Sequence, residues 1–398
     1  MDIRIIPSKL SGTITAIPSK SQAHRLLICA AFSDQTTQLL CPETNEDIEA
    51  TAGCLNAIGA NIVRTQNGYV VTPITNIPKT AHLDCHESGS TLRFMLPIVC
   101  ALGIDATIHM SGRLPRRPLT PLWEELERMG CKLSRPAEDT IQTSGKLHSG
   151  IFSIAGNVSS QFITGLLFAL NLLPGTSQIH VTGNLESKPY VQMTQEALSL
   201  FGVQSEGFTV SGCWPFRSPG TIEVEGDWSN GAFFLAAAAL GNAVVVNNLN
   251  VGSAQGDREI ADILVNKVAH PVISAANIPD LVPIMAIYFA ANGGATFTDI
   301  ARLRLKESDR VESIRNMLNI LGIHTETDQN TLTVYGGEIK GGIVDACADH
   351  RIAMAAAIVS TVASEEITIL GAECVAKSYP TFWQEFERLG GKYEQYIR

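Results

Sequence analysis

The sequence predicts a mixed α/β protein built from six copies of one unit, and three observations carry that prediction. Six segments open polar and then turn almost wholly apolar; their markers Ser21, Ser88, Ser159, Ser229, Asp280 and Asp349 lie 67, 71, 70, 51 and 69 residues apart. Five amphipathic stretches end in an apolar residue followed by glycine, at Gly59, Gly130, Gly202, Gly322 and Gly390, spaced 71, 72, 120 and 68 residues. Short alternating runs such as Thr13 to Ile17, Ile108 to Met110, Ile179 to Thr182 and Ile367 to Leu370 lie between them and read as strands. The 120-residue gap is two periods less about 20 residues, and the 51-residue gap falls short by the same amount, so the fourth copy is expected to be truncated near Lys267 to Ile278.

In chain order, the first helix of each copy is expected from Ser19 to Ala31, Glu87 to Leu102, Ser159 to Leu173, Asp227 to Leu240, Pro279 to Ala291 and Asp349 to Ala363. These segments are apolar around their whole circumference and should be buried. The second helix of each copy is amphipathic, as in Trp123 to Met129 and Val311 to Leu318, and its terminal glycine suits a left-handed C-cap. The unit is then strand–helix–strand–helix–strand–strand. Three copies would form a lobe over residues 19–225. The other three, with the N-terminal strand, would form a second lobe over 1–18 and 226–398, with a hinge near 19 and 226.

Composition narrows the function. With 398 residues, 45% hydrophobic and 17% charged, the chain reads as a soluble globular protein large enough for two domains. A net charge of −10 makes nucleic acid or an anionic membrane a poor partner for the surface as a whole. The apolar stretch Ala232 to Val246 is shorter than a membrane span, and Met1 to Arg4 has no signal-peptide pattern, so a cytoplasmic protein is expected. Nine cysteines form no CxxC pair, and Cys29 and Cys100 sit in apolar runs, as small buried hydrophobes do in a reducing compartment. Cys85, His86 and Glu87 lack the further spaced ligands a metal site needs, so no metal is expected there, and no P-loop or dinucleotide fingerprint is present.

The chemistry gathers at helix starts. A helix N-terminus exposes unpaired N–H groups and about half a positive charge, which makes it an anion site. Here hydroxyl and basic residues recur at that place: Lys20 and Ser21, Ser159 and Ser160, His350 and Arg351. A second set opens the amphipathic helices: Arg116 and Arg117, Ser187 and Lys188, Lys306 to Arg310, Lys377 and Ser378. Taken singly, the Ser and Asp residues read more readily as ordinary N-caps. Recurring in an acidic chain, the set points to a cleft for a strongly anionic ligand.

The ordered motifs Pro18 to Ser21 with Arg25, Ser159 to Phe162, Ser187 to Tyr190, Glu225 to Asp227, Ile278 to Asp280, Leu305 to Arg310, Asp349 to Met354 and Ala376–Lys377 resemble the enolpyruvyl transferases, in particular the EPSP synthase branch, along essentially the whole chain. The resemblance implies an inside-out α/β barrel of two lobes with three βαβαββ units each. It implies transfer of an enolpyruvyl group from phosphoenolpyruvate to the 5-hydroxyl of shikimate 3-phosphate by addition and elimination, with these two small molecules as partners and no cofactor; the sequence shows no obvious interface motif, so a monomer is expected. By the same resemblance Lys20, Ser21, Arg25, Ser159, Ser160, Gln161, Ser187, Asp280 and Lys306 hold shikimate 3-phosphate. Lys20, Gly89, Arg117, Gln161, Arg310, Arg351 and Lys377 hold phosphoenolpyruvate. Asp280, Lys306, Glu307 and Lys20 carry the catalysis, with Asp280 serving the hydroxyl and Lys306 and Glu307 the methylene and the departing phosphate. Asp309 reads as a cap, and His350 as either a ligand donor or an orienting residue. The chain departs from the commonest family pattern at Glu87, Phe94, Arg302 and the shortened fourth copy. The sister enzymes that act on UDP-N-acetylglucosamine typically carry a catalytic cysteine in the Arg-rich loop; Ser111 to Pro118 has none.

Overall fold

The computed structural model describes residues 1–204, 207–266 and 268–396. It is a mixed α/β protein that divides into two compact units, Met1–Ile17 with Gly226–Arg398, and Pro18–Glu225.

Unit 18–225 holds three sheets. One runs in the order Thr80–Asp84, Asp105–His109, Thr140–Gly145, Cys131–Ala137, and a second Ile151–Ala155, Thr176–Thr182, Thr209–Ser211. In each, the first two strands are parallel and joined by a buried crossover helix, Gly89–Leu102 in one and Ser160–Leu170 in the other. The third sheet begins with Thr221–Glu223 parallel to Thr37–Leu40, so the last strand of the unit completes the sheet that its first elements start. One continuous apolar core fills the unit, including Leu26, Ile28, Phe94, Phe162 and Phe168.

The other unit also has three sheets. Val272–Ser274 and Gly294–Thr298 are parallel, followed by the antiparallel strands Thr331–Tyr335 and Thr325–Thr327. Gly342–Asp345 is parallel to Ile367–Leu370, which pairs with Asp2–Ile6, which pairs in turn with Lys392–Tyr396. Among the described residues the third sheet has only Ser11–Thr15 and Ala243–Asn247, in parallel. It is followed by the 3-10 turn Gly256–Glu259 and the short helix Ile260–Val265, with no strand hairpin among the described residues before Val272. Lys267, at the start of the expected truncation, lies outside the described residues. Helix Val282–Ala291 is buried from Val282 through Ala290, and Pro283 sits in its first turn, where its missing N–H costs nothing.

The helix starts are set by local chemistry. Ser19, Ser88, Ser159, Asp227 and Asp349 all occupy N-caps and accept from backbone N–H groups in the first turn. Four residues before two of these caps the same turn recurs. Asp84 Oδ1 accepts from the His86 N–H at 2.8 Å, and Asp345 Oδ1 from the Cys347 N–H at 2.7 Å. His86 and Cys347 both take positive φ, 45° and 53°, which swings the chain into the helix.

The second series of basic residues is placed differently from expectation. Arg117 ends the 3-10 turn Leu114–Arg116, Lys306 ends Ala301–Leu305, and Lys377 closes Ala372–Lys377; the following helices begin only at Leu122, Arg310 and Phe382. For Arg117 the reason is local: Pro118 disfavours helical ψ in the residue before it, and Arg117 is extended, with ψ 138°. Ser187 and Lys188 do open a helix, Lys188–Leu200.

Two crossover helices of unit 18–225 approach unusually closely. A Cβ on Gly165 would lie 2.2 Å from the Arg93 carbonyl oxygen and 2.8 Å from Pro97 Cγ. Pro97 has no N–H to offer the carbonyl four residues back, which is that of Arg93. The contact lets helix Ser160–Leu170 lie against Gly89–Leu102 and sets Gln161, one turn before Gly165, beside Arg93.

Candidate functional site

In unit 18–225, three helix starts carry interlocked polar groups. Lys20 Nζ pairs with Asp47 Oδ2 at 2.9 Å. Arg25, five residues along the same helix, is buried; its Nη1 donates to the Ser21 carbonyl at 2.6 Å, its Nε to Thr194 Oγ1 at 2.9 Å and its Nη2 to the Tyr190 carbonyl at 2.9 Å. Its guanidinium also lies over the Phe94 ring, 5.4 Å from the centroid. Burial pushes its pKa down to about 10, because no carboxylate among the described residues lies within ion-pair distance to offset the desolvation. A buried cation without a carboxylate is a natural seat for an anion.

A chain of hydroxyls ties these starts together. His24 Nδ1 lies 2.7 Å from Thr51 Oγ1, Thr51 Oγ1 lies 2.7 Å from Thr91 Oγ1, and Thr91 Oγ1 donates to Ser88 Oγ at 2.7 Å. Ser88 is the cap of helix Gly89–Leu102. Burial pushes His24 down to about 3, so it is a neutral link at working pH.

At Gly89 a side chain is excluded because two arginines already occupy the place its Cβ would take. A Cβ there would lie 2.6 Å from Arg93 Nη1 and 2.8 Å from Arg117 Nη1. Arg93 Nη1 donates to Gln161 Oε1 at 3.0 Å, and Gln161 Nε2 donates to Ser90 Oγ at 2.9 Å. Ser159 Oγ accepts from the Gln161 N–H at 3.3 Å, and Ser160 is buried beside it. Ser187 is buried with φ 52°, a left-handed conformation rare for a side chain-bearing residue and common at binding sites. Glu87 fills the space that a Cβ on Gly112 would need, so its side chain packs against the loop carrying Arg117. Phe94 is core, edge-on to Phe168.

In the other unit the centre is Asp280. Arg310 Nη1 reaches its Oδ1 at 2.6 Å and Lys306 Nζ the same oxygen at 3.3 Å, while Arg351 Nη2 reaches Oδ2 at 3.3 Å and Arg351 Nη1 donates to its carbonyl at 3.2 Å. Burial would raise the Asp280 pKa, but Arg351, Lys306 and Arg310 outweigh it and hold the carboxyl well below the usual range. Asp280 is therefore not the N-cap its place before a helix suggests: Leu281 stands at that position and makes no side-chain cap bond. Asp309, by contrast, does cap its helix, accepting from the Glu312 N–H at 3.2 Å.

Arg310, 1% exposed, is held by three carboxylates: Asp280, Glu307 Oε2 at 2.6 Å and Asp349 Oδ2 at 2.8 Å. Burial would lower its pKa; Asp349, Glu307 and Asp280 raise it well above the ordinary arginine value. Any ligand at Arg310 must share it with these groups. Burial pushes Lys306 down to about 8 despite Asp280, with Arg310 and Arg302 pushing the same way. A lysine so placed can give or take a proton near neutral pH. Arg351, His350 and Lys377 are all buried.

By chain position Lys20, Ser21, Arg25, Gly89, Arg117, Ser159, Ser160, Gln161 and Ser187 belong to one unit and Asp280, Lys306, Glu307, Arg310, Arg351 and Lys377 to the other. Two partners escaped the sequence reading. Arg93 had a signal, a lone arginine in an apolar helix four residues from Gly89 and so on its face. Asp47, which pairs with Lys20, had none beyond its place in the first turn of Glu46–Ala57. Among the described residues no cluster of three or more His, Cys, Asp or Glu is placed to hold a metal ion, and no helix is long and apolar enough to cross a membrane.

Comparison with known proteins bears on this arrangement. The family model of EPSP synthase (3-phosphoshikimate 1-carboxyvinyltransferase) matches residues 5–386. The 3-phosphoshikimate 1-carboxyvinyltransferase of Clostridium kluyveri is 39% identical, over 99% of this chain and 98% of its own. That of Clostridium beijerinckii is 37% identical over 99% of each. A solved EPSP synthase from Acinetobacter baumannii shares the fold with a TM-score of 0.80 at 23% identity, covering 99% of this chain and 100% of the other. A match that runs from the first strand into the last helix, and likeness to enzymes of one name over their full length, place this chain in the EPSP synthase (3-phosphoshikimate 1-carboxyvinyltransferase) family.

Proposed function

We propose that this chain transfers the enolpyruvyl group of phosphoenolpyruvate to the 5-hydroxyl of shikimate 3-phosphate, releasing phosphate, in the shikimate pathway that leads to aromatic amino acids. The observation that carries the proposal is the Asp280 centre: an ionised carboxylate beside a lysine of pKa about 8 and two arginines. The first step joins the 5-oxygen to C2 of phosphoenolpyruvate while a proton adds to C3. The second removes a proton from C3 and breaks the bond from C2 to the phosphate oxygen. Asp280 takes the hydroxyl proton; Lys306 and Glu307 serve C3 and the departing phosphate; Lys20 balances charge. Substrate anions that draw Arg351 and Lys306 toward themselves relieve Asp280 of the cations that depress its basicity.

Shikimate 3-phosphate is assigned to Lys20, Ser21, Arg25, Ser159, Ser160, Gln161, Ser187, Asp280 and Lys306. Phosphoenolpyruvate is assigned to Lys20, Gly89, Arg117, Gln161, Arg310, Arg351 and Lys377. Arginine suits this task because its planar fork meets carboxylate or phosphate through two parallel hydrogen bonds. The same proposal includes six βαβαββ copies as an inside-out barrel, domain boundaries near 19 and 226, a cytoplasmic setting and a monomer; the parallel-then-antiparallel pattern of the sheets supports the repeat. Calorimetric titration with the two substrates, combined with a phosphate-release assay, tests it. Tight binding of both with no phosphate released would make the chain a binding protein and overturn the proposal.

A further inference from the structure

Asp257 takes no part in the chemistry above, yet it is the kind of group that a structure does not bury without reason. It lies in the 3-10 turn Gly256–Glu259 and is 2% exposed. Its Oδ2 accepts from the Ser229 hydroxyl in the first turn of helix Trp228–Ala239, and its Oδ1 is buried with no hydrogen-bond partner. Among the described residues no cation lies within ion-pair distance of it. An ionised carboxylate with one oxygen sealed from water and unpartnered is costly, whereas an un-ionised acid leaves only a neutral carbonyl oxygen there. The charged groups that act on it are Asp280, Arg351 and Asp227; Arg258 and Glu259 in its own turn and Asp262 in the next helix are the charged residues nearest in sequence.

We propose that Asp257 is a positioning residue that works as an un-ionised carboxylic acid within electrostatic reach of Arg351: while it keeps its proton, Arg351 serves Asp280 and an anionic substrate, and when it loses the proton it becomes a fixed anion that competes with both. In the un-ionised form the hydrogen shared with Ser229 belongs to Asp257 Oδ2. Burial, followed by the charge of Asp280, pushes the Asp257 carboxyl up to about 7, so the exchange between the two forms falls in the working range. Asp280 is bound to the same arginine and stays ionised throughout.

The link to a substrate anion rests on the function proposed above, so the test has an arm that does not. Infrared difference spectra of the unliganded full-length protein, recorded between about pH 5 and pH 9, are expected to show a carboxylic-acid C=O band that titrates near neutrality. The band should be absent in Asp257→Asn and shift to higher pH in Ser229→Ala, which removes a hydrogen bond that favours the ionised form. No such band in the wild type, which needs no variant to fold, overturns the proposal. In the kinetic arm, KM for phosphoenolpyruvate should rise by roughly 10-fold more in the wild type than in Asp257→Asn across the alkaline half of that range, with kcat at the acidic end within about twofold. Identical KM profiles would reduce Asp257 to a packing residue and overturn its positioning role. A titrating band in a protein that binds no phosphoenolpyruvate would overturn the proposed function and leave the buried proton of Asp257 standing.

Discussion

Replacing Asp280 by Asn removes the charge at the meeting point of three cations and should change both rate and pH dependence. Lys306 Nζ sits 3.3 Å from Asp280 Oδ1. At that separation and an effective dielectric constant of about 20, the interaction is worth at most about 5 kcal/mol. Even a third of it moves a pKa by about one unit. Lys306, now about 8, would then titrate below about 7 and be mostly neutral where the enzyme works. Loss of the hydroxyl's base adds roughly 100- to 10,000-fold in kcat. Phosphate release measured with both substrates from about pH 5 to pH 9 should show kcat reduced by that range, with the alkaline limb displaced to lower pH by about one unit or more. Stability gives a separate check of sign. Because Asp280 is depressed below its unfolded value, its contribution is present above about pH 4 and lost as pH falls, so the variant should be less stable at neutral pH and equal in acid. A variant with wild-type kcat and only a raised KM would show Asp280 to be a binding residue. An unmoved alkaline limb would show that Lys306 does not report on it.

Other outcomes follow from the same geometry. Lys20→Ala and Arg117→Ala should each lose a charge-assisted contact of about 1.5–3 kcal/mol, or roughly 10- to 150-fold in kcat/KM; wild-type values in either would remove it from the site. Gly165→Ala places a Cβ 2.2 Å from the Arg93 carbonyl oxygen, so denaturant titration should show a loss of about 1–3 kcal/mol and the kinetics a weakened site at Gln161, whereas an unchanged midpoint would mean the two helices part freely. His24, buried neutral with a pKa of about 3, binds its proton only in the unfolded chain between that value and about 6.5. Stability of the wild type should therefore fall with acidification across that window, and His24→Gln should flatten that part of the curve; an identical acid limb in the two proteins would contradict it.

Much of this was legible in the sequence because it is written in short-range chemistry. Ser19, Ser88, Ser159, Asp227 and Asp349 are N-caps where a polar residue precedes an apolar run, and the position of each is fixed by a few neighbouring residues. The second series was misplaced for a reason equally local: Pro118 holds Arg117 extended, and Lys306 and Lys377 finish 3-10 turns whose tight hydrogen bonding leaves no periodic apolar stripe. What the sequence could not display were partners far apart in the chain. Asp47 reaches Lys20, Thr51 links His24 to Thr91, and Asp257 finds Ser229 across distances no spacing rule records. Asp280 belongs to both classes, since its neighbours suggest a cap and only its three cations show otherwise.

The central place of Asp2–Ile6, between Ile367–Leu370 and Lys392–Tyr396, has a consequence for how the chain is made. Asp2–Ile6 leaves the ribosome more than 300 residues before either of its partners, Ile367–Leu370 and Lys392–Tyr396, and Ser11–Thr15 likewise waits for Ala243–Asn247. Residues 18–225 face no such delay, because their closing strand, Thr221–Glu223, pairs with Thr37–Leu40 inside the same segment. The inner segment can therefore fold while the outer one is still being translated, at a rate of about 5–20 residues per second. During that interval Asp2–Ile6 is an unpaired strand bearing Ile3 and Ile5, two of the side chains most deeply buried in the finished protein, and its protection is a matter for the cell's chaperones before it is one of structure.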